Sequence, residues 1–198
     1  YFSIGESTIL RLVSMGDRRS YSEKVRSSYW LVLSSGELMI TGITGRSLTL
    51  RLESEYTTYD DPTFVYFGTH FVRGSAGIRF PFRVQYSLLF EPRVARMICL
   101  DFDEERYFEY TALLGIEVFN VNGFWLMAGY EPGYRNYLAD ENDLYSDFYL
   151  NRLSLMGSIP LSKGFYIRLF AMHDPERHMR REDDFSITLF SIDLTKRF

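Results

Sequence analysis

Apolar residues recur at every second position over long stretches of this chain, and a period of two is the spacing of a β-strand with two different faces. One stretch has the apolar set Ile78, Phe80, Phe82, Val84, Tyr86, Leu88 and Phe90. Another has the set Phe108, Tyr110, Ala112, Leu114, Ile116 and Val118, alternating mainly with Glu109, Thr111, Gly115 and Glu117. Both exceed the usual strand of about 5–6 residues. The alternation therefore predicts an all-β fold of long strands.

The connections between these stretches alternate between short and long. The short ones carry glycine and lie at 42–45, 74–77, 122–123 and 158–164. Among them, Asn122-Gly123 is a strong signal for a two-residue hairpin turn. The other connections are charged and mostly longer, and lie at 16–26, 58–62, 92–106, 132–143 and 174–184. Short turns at one end and long polar loops at the other are typical of outer-membrane β-barrels.

Counting the stretches between these connections predicts about ten strands in a single domain that covers residues 1–198. The predicted strands are 2–15, 27–41, 46–58, 63–73, 76–91, 106–121, 123–131, 145–158, 164–173 and 184–197. Ser34-Ser35-Gly36 predicts a bulge or a turn inside the second strand. The alternation also shifts near Tyr149, which leaves the face of Arg152 open, and about eight or twelve strands remain alternatives. We expect a closed antiparallel up-and-down transmembrane β-barrel.

The same alternation suits a soluble barrel with its apolar face inward, so the polar face has to distinguish the two. A soluble surface is rich in Lys, whereas here Lys occurs only at 24, 163 and 196, near loops, turns or the chain end. The strand interiors instead carry Arg and acidic residues, which pair well in a confined polar interior. We therefore predict a charge network in the barrel lumen formed by Arg11, Arg51, Glu53, Glu55, Arg79, Arg83, Glu109, Glu117, Arg168 and Asp193.

The last segment, 185–198 (FSITLFSIDLTKRF), is an alternating strand that ends in Phe. It resembles the C-terminal strand of bacterial outer-membrane β-barrel proteins at Phe190, Ile192, Leu194 and Phe198, whereas Lys196 departs from that pattern. The resemblance implies that these residues form an assembly signal read by the barrel-assembly machinery. The segment 159–165 (IPLSKGF) also looks like a periplasmic turn of such barrels.

Other classes of protein are excluded by composition. No apolar run approaches the ~18 residues that a membrane helix needs. The residues near Tyr1 do not resemble a signal peptide, which suggests a mature or trimmed chain. One Cys excludes an internal disulfide framework, and with only three His beside it we expect no metal site and no cofactor. A net charge of −4 gives no basis for nucleic-acid binding.

Two resemblances bring enzymes into consideration. His173 and Asp174, with Asp101 and Asp103 in another loop, resemble the His/Asp and Asp/Asp pairs of outer-membrane proteases of the omptin family. His70 is compared with the Ser/His pair of lipid-modifying barrels. Solvated loop charge and a structural histidine are the preferred interpretations, so no catalytic residue is predicted.

Charged clusters mark the predicted loops. Carboxylates gather at 60–61, 101–105, 140–143 and 183–184, but none has the spacing of an EF-hand calcium loop. Arginines at 18–19, 177 and 180–181 suit pairing between loops, with lipopolysaccharide phosphates or with a protein partner.

The expected protein is thus a small integral barrel of the bacterial outer membrane. We predict a non-enzymatic scaffold, anchor or accessory subunit of a membrane complex, with a narrow solute channel as the alternative and an outer-membrane protease or lipid-modifying enzyme third. The expected partners are outer-membrane lipid and lipopolysaccharide, the barrel-assembly machinery and other outer-membrane proteins, with no nucleic acid.

Overall fold

A computed structural model of the chain describes residues 2–3, 7–20, 28–42, 44–61, 68–99, 102–120, 122–139, 145–161 and 164–196. These residues form one antiparallel sheet in which each strand pairs with its neighbours in the sequence. The strands are β1 (Phe2–Ser3), β2 (Thr8–Arg19), β3 (Tyr29–Thr41), β4 (Ser47–Tyr59), β5 (Thr69–Arg83), β6 (Tyr86–Cys99), β7 (Tyr107–Phe119), β8 (Trp125–Tyr137), β9 (Phe148–Pro160), β10 (Phe165–His178) and β11 (Phe185–Lys196). The all-β, up-and-down prediction with ten long strands is confirmed. No helix in the described ranges is long and apolar enough to cross a membrane.

The predicted strand 76–91 is wrong, because it spans the end of β5, a two-residue turn at Val84 and Gln85, and the start of β6. The predicted turn at 74–77 lies inside β5, and the predicted loop 92–106 begins inside β6. Next to the turn, Arg83 pairs with Tyr86, and the pairing then shifts by one residue between Arg83 and Pro81, so that residues of equal parity stand opposite each other, as in the pairs Phe80–Leu88 and Ile78–Phe90. The alternation therefore continues through the turn without a break, and nothing in the period reveals the hairpin.

Several strand ends also differ from prediction. β2, β8 and β10 continue to Arg19, Tyr137 and His178, so the predicted loops at 16–26, 132–143 and 174–184 begin within strands. The predicted bulge at Ser34 is wrong, because the pairing of β3 with both neighbours is continuous there. The polar residues at these strand ends pair across the sheet instead of entering loops.

The sheet has two different surfaces, which we call the inner face and the outer face. In β7, Glu109, Thr111 and Glu117 are buried on the inner face, whereas Tyr110 and Ile116 are exposed on the outer face. The register carries the same division across the sheet, and it places Phe80 and Phe82 on the outer face. The prediction that the apolar set faces outward is confirmed.

The strands are staggered in one direction, as tilted barrel strands require. Cross-strand pairs link Ser14, Ser34, Ser54, Val72, Arg96, Phe108 and Asn136 in one row. Ser14 lies well inside β2, whereas Asn136 is next to the last residue of β8.

Connections alternate between the two ends of the strands, which we call the loop end and the turn end. The turn end holds the short connections, including the one at Asn122-Gly123. Gly123 has φ +84°, a conformation that favours glycine, and the Asn120 side chain accepts hydrogen bonds from the backbone N–H groups of Asn122 and Phe124. The predicted hairpin is present, but its turn is longer than the two residues predicted, because the Asn120 N–H donates to the Phe124 carbonyl and the Gly123 N–H donates to the Asn120 carbonyl.

Candidate functional site

A chain of ion pairs crosses the inner face from β6 to β10. Arg93 contacts Glu91 at 2.8 Å and Glu131 at 2.9 Å. Arg152 donates from Nε to Asp174 at 2.9 Å, and its Nη1 lies 3.8 Å from Glu131. Glu131 and Asp174 are both buried. Opposite charges and hydrogen bonds thus compensate the burial of these carboxylates.

Four further ion pairs occupy the same face. Each joins an arginine to a glutamate on a neighbouring or nearby strand. They are Arg51–Glu37 at 2.9 Å, Arg79–Glu117 at 2.8 Å, Arg135–Glu109 at 2.9 Å and Arg73–Glu53 at 3.5 Å. The inner face of the sheet is therefore lined by paired charges.

The residues predicted for the lumen network lie on the inner face by register, except that Arg83 lies where the pairing of β5 with β6 becomes irregular. Arg11 stands opposite Glu37, and Arg168 stands opposite Asp193. The sequence prediction missed Glu37, Arg73, Glu91, Arg93, Glu131, Arg135, Arg152 and Asp174. Arg93, Arg135 and Asp174 were missed because β6, β8 and β10 were predicted to end too early, and continuing the alternation would have found these three. The other five lie within predicted strands.

Aromatic rings surround an arginine at the loop end of the interior. The Arg135 guanidinium lies 4.1 Å from the centroid of the Tyr107 ring and 4.9 Å from that of Phe148, and it also pairs with Glu109. Beside them, the Tyr137 ring stacks on Tyr145 with centroids 5.2 Å apart. Cation–π contacts of this kind hold a desolvated guanidinium in place. We call this group the mouth cluster.

Asp147 anchors the segment that leads into β9. Its carboxylate accepts hydrogen bonds from the Tyr134 hydroxyl at 2.6 Å, the Asn136 amide at 2.8 Å and the Tyr137 backbone N–H at 2.8 Å. Burial by itself would raise the pKa of Asp147, but these hydrogen bonds favour the charged form and lower the pKa below its ordinary value. The neighbouring residue, Ser146, is thereby held in position.

Ser146 lies next to a histidine flanked by carboxylates. Its Oγ is 3.2 Å from His178 Nδ1 and 3.1 Å from Asp183 Oδ2. The other ring nitrogen, His178 Nε2, is 3.3 Å from Glu176 Oε2. The imidazole stacks on Phe148 with centroids 4.5 Å apart. His178 falls within the predicted loop 174–184, but in the structure it is the last residue of β10 and stands opposite Phe148.

The other two histidines point away from the interior. His70 Nε2 lies 3.0 Å from Ser54 Oγ, and His173 Nδ1 lies 2.9 Å from Thr188 Oγ1, both on the outer face. His173 and Asp174 lie on opposite faces of β10, as adjacent strand residues must. The structure therefore does not bring His173 and Asp174 together on one face; Asp101 lies outside the described residues, and Asp103 pairs with Arg106.

The residues of the predicted assembly signal lie on the outer face of the last strand. Phe190, Ile192 and Leu194 are exposed there, and Phe198 lies outside the described residues. Within the described ranges, no group of three or more His, Cys, Asp and Glu side chains is arranged to hold a metal ion.

An antiparallel sheet of ten long strands and the two-residue β1, apolar on its outer face and lined with paired charges on its inner face, is the architecture of an outer-membrane β-barrel protein. Among solved structures, the chain is similar to LpxR from Salmonella typhimurium, with 12% identity and a TM-score of 0.49 over 100% of this chain and 86% of that one. At this identity and TM-score, the similarity carries no information on activity. Neither a protein-family model nor a curated protein matches the chain.

Proposed function

We propose that this chain forms a closed, non-conducting β-barrel in the bacterial outer membrane and serves as an anchor or accessory subunit that presents its loop end to partners. The ion-pair chain from Glu91 to Asp174 is the observation that carries this proposal. Barrels of this size have only enough interior for side chains or one small ligand. Here paired charges and the mouth cluster take that space, which argues against the alternative of a solute channel.

Closure requires β11 to pair with the edge of β2 beyond Ile9 and Leu10, where β1 is already paired, because an open sheet edge cannot persist in lipid. The inner faces of both strands support this pairing, since they carry exposed apolar side chains. Met15 is 54% exposed and Leu189 is 49% exposed in the described sheet. Pairing the two strands covers these side chains and leaves the apolar outer face continuous.

Disulfide formation tests the closure. In a Cys99→Ser background, Met15→Cys is combined in turn with cysteines at positions 187, 189 and 191. We expect one of these combinations to form an intramolecular disulfide, and Met15→Cys with Leu155→Cys, on the outer face of β9, to form none. Disulfides only between molecules would contradict the closure.

Conductance in planar bilayers tests the non-conducting interior. The wild-type barrel is expected to be silent, whereas a variant with Arg93, Glu131 and Arg152 all changed to alanine should conduct. The control changes Arg18 and Asp60, an exposed ion pair at the loop end, to alanine and should stay silent. Conductance steps by the wild type would refute the proposal.

Arginines on the outer face suit an anionic lipid surface at the loop end. Arg18 lies 5.0 Å from the Trp30 ring and Arg96 lies 5.1 Å from the Phe108 ring. A cation beside an interfacial aromatic ring fits the boundary of the membrane with lipopolysaccharide phosphates. Weaker lipopolysaccharide binding by the Arg18→Gln and Arg96→Gln double variant is the expected result, and unchanged binding would contradict it.

Partner contact and assembly are tested separately. A photo-crosslinking residue at position 102, at the loop end, should give a discrete protein adduct in cells, whereas the same residue at position 84, at the turn end, should not. No adduct from position 102 would count against an accessory role. We also propose that Phe190, Ile192, Leu194 and Phe198 are read by the barrel-assembly machinery; Phe198→Ala should lower the folded fraction in cells but not the stability after refolding.

A further inference from the structure

The segment before β9 and the end of β10 bring a hydroxyl, an imidazole and a carboxylate together at the loop end. We propose that Ser146, His178 and Glu176 form a hydrolytic site for acyl esters that reach the barrel mouth from water. Ser146 is the nucleophile, His178 is the general base and Glu176 is a positioning residue. This activity goes beyond anchoring, and it depends only on the loop end facing water.

The contacts have the order that an activated nucleophile needs. Ser146 Oγ is within 3.2 Å of one ring nitrogen of His178, and Glu176 Oε2 is within 3.3 Å of the other. A nucleophile next to a base, with the base oriented by a third group, is the arrangement common to serine hydrolases. Here Nδ1 faces the serine and Nε2 faces the acid, the reverse of the chymotrypsin order. Each imidazole nitrogen can accept or donate a proton, so the reversed order supports the same chemistry.

The fold fixes the geometry of these groups from both sides. The Asp147 carboxylate, with its three hydrogen bonds, holds the residue after Ser146. The His178 ring is stacked on Phe148, and its backbone N–H donates to Asp184 Oδ1 at 2.7 Å. The side chains of His178 and Glu176 are only 10% and 14% exposed. Restricted access to water strengthens the electrostatic contact between imidazole and carboxylate.

Asp183 gives the site a second hydrogen-bond arrangement. When His178 is neutral, Ser146 can donate to Nδ1 while Nε2–H donates to Glu176, and this arrangement is ready for reaction. When His178 is protonated, Nδ1–H donates to Ser146 and the serine hydroxyl donates to Asp183 at 3.1 Å. The protonated arrangement cannot accept the serine proton.

The reaction proceeds in two balanced stages. Ser146 Oγ attacks the ester carbonyl carbon while its proton passes to His178 Nδ1, and the tetrahedral intermediate collapses as His178 protonates the leaving alcohol. Water then attacks the acyl-serine, gives one proton to His178, and releases the carboxylic acid as the proton returns to Ser146 Oγ. Arg180 lies 3.1 Å from Asp183, the carboxylate that also contacts Ser146, and places a cation beside the site.

A fluorophosphonate probe and p-nitrophenyl butyrate test the site in the full-length protein refolded in detergent. The probe reacts when Ser146 Oγ displaces fluoride from phosphorus. We expect labelling of the wild type at Ser146 and butyrate hydrolysis that falls at least about 100-fold in Ser146→Ala and His178→Gln. Ser54→Ala and His173→Gln remove outer-face partners of the same types and should change the rate less than about twofold. Heat-modifiable gel migration shows that each variant is folded.

Glu176→Gln tests the positioning role. It should lower kcat about 10- to 100-fold with KM unchanged, and Glu176→Asp should restore part of the rate. No labelling of the folded wild type, or labelling that survives Ser146→Ala, would overturn the proposal. Either result leaves the conductance test of the anchoring function unaffected.

Discussion

Arg152→Met removes the cation that faces a buried carboxylate on the inner face. Arg152 donates twice to Asp174 Oδ2, and the Asp174 side chain is 6% exposed. The other carboxylate oxygen, Oδ1, has no hydrogen-bond partner among the described residues. The substitution therefore leaves a buried charge with little compensation, which is the most destabilising way to break an ion pair.

The loss of stability in Arg152→Met depends on which ion-pair partners Glu131 and Asp174 retain. Glu131 keeps Arg93 at 2.9 Å, so only Asp174 loses its main partner. Breaking a buried ion pair costs about 3–5 kcal/mol. Because only one carboxylate is left without its partner, we expect Arg152→Met to lower the free energy of unfolding by about 3 kcal/mol. The control is Arg51→Met, where Arg51 and Glu37 are 38% and 22% exposed. Water can solvate the remaining charge there, and we expect a loss of about 1 kcal/mol or less.

Urea unfolding of the refolded barrel in detergent micelles, followed by tryptophan fluorescence and gel migration, measures both free energies. A double variant, Arg152→Met with Asp174→Leu, adds a second check. Since an apolar pair of similar volume can replace a buried ion pair at little cost, this variant should recover most of the lost stability. Equal losses in Arg152→Met and Arg51→Met, or a double variant as unstable as the single one, would refute the argument.

Three further substitutions probe packing, the loop end and the membrane. Gly133→Ala should lower the free energy of unfolding by about 2 kcal/mol or more, because a Cβ there would lie 2.6–2.7 Å from neighbouring atoms. The matched control is Gly16→Ala, since a Cβ at that position has nothing within 4 Å. Similar melting temperatures for the two variants would contradict this prediction. Because folding lowers the pKa of Asp147, this carboxylate stabilises the protein at pH values above its unfolded pKa, and the stabilisation is lost as pH falls through the folded pKa. Asp147→Asn should therefore lower the melting temperature near pH 7 but not in strong acid. A difference in melting temperature that does not depend on pH would contradict this prediction. Ile116→Arg should cost about 2–4 kcal/mol for folding into lipid vesicles, and a negligible cost would argue against a lipid-facing outer wall.

The strand count and the division into two faces could be predicted because one physical rule determines both. Successive side chains along a strand point to opposite faces of the sheet. The polarity of every second residue therefore indicates which face is the apolar outer face and which is the charged inner face. Strand ends are set by different forces. Tyr137 and His178 extend β8 and β10 beyond their apolar stretches because cross-strand ion pairs and ring contacts stabilise polar residues there.

The turn at Val84 and Gln85 illustrates the limit of this rule. The apolar residues of both flanking strands lie at even positions, so the alternation is not interrupted. Neither turn residue is a glycine or a proline, and the segment 76–91 therefore has the pattern of a single strand. The error moved Arg93 into a predicted loop and thereby concealed the central arginine of the ion-pair chain. The number of strands was unaffected, because β5 and β6 replace two predicted strands in the same region.

The loop-end site depends on register, which periodicity does not specify. Sequence proximity suggested His173 with Asp174, yet alternation places those two side chains on opposite faces of β10. The antiparallel pairing of β9 with β10 sets Phe148 opposite His178, so Ser146 meets a histidine far along the chain. Glu176 shares the inner face with His178 because the two are separated by one residue. A one-residue shift in the pairing of β9 with β10 would separate the Ser146 hydroxyl from the His178 imidazole. The strand register that forms the sheet therefore also determines whether the proposed reaction can occur.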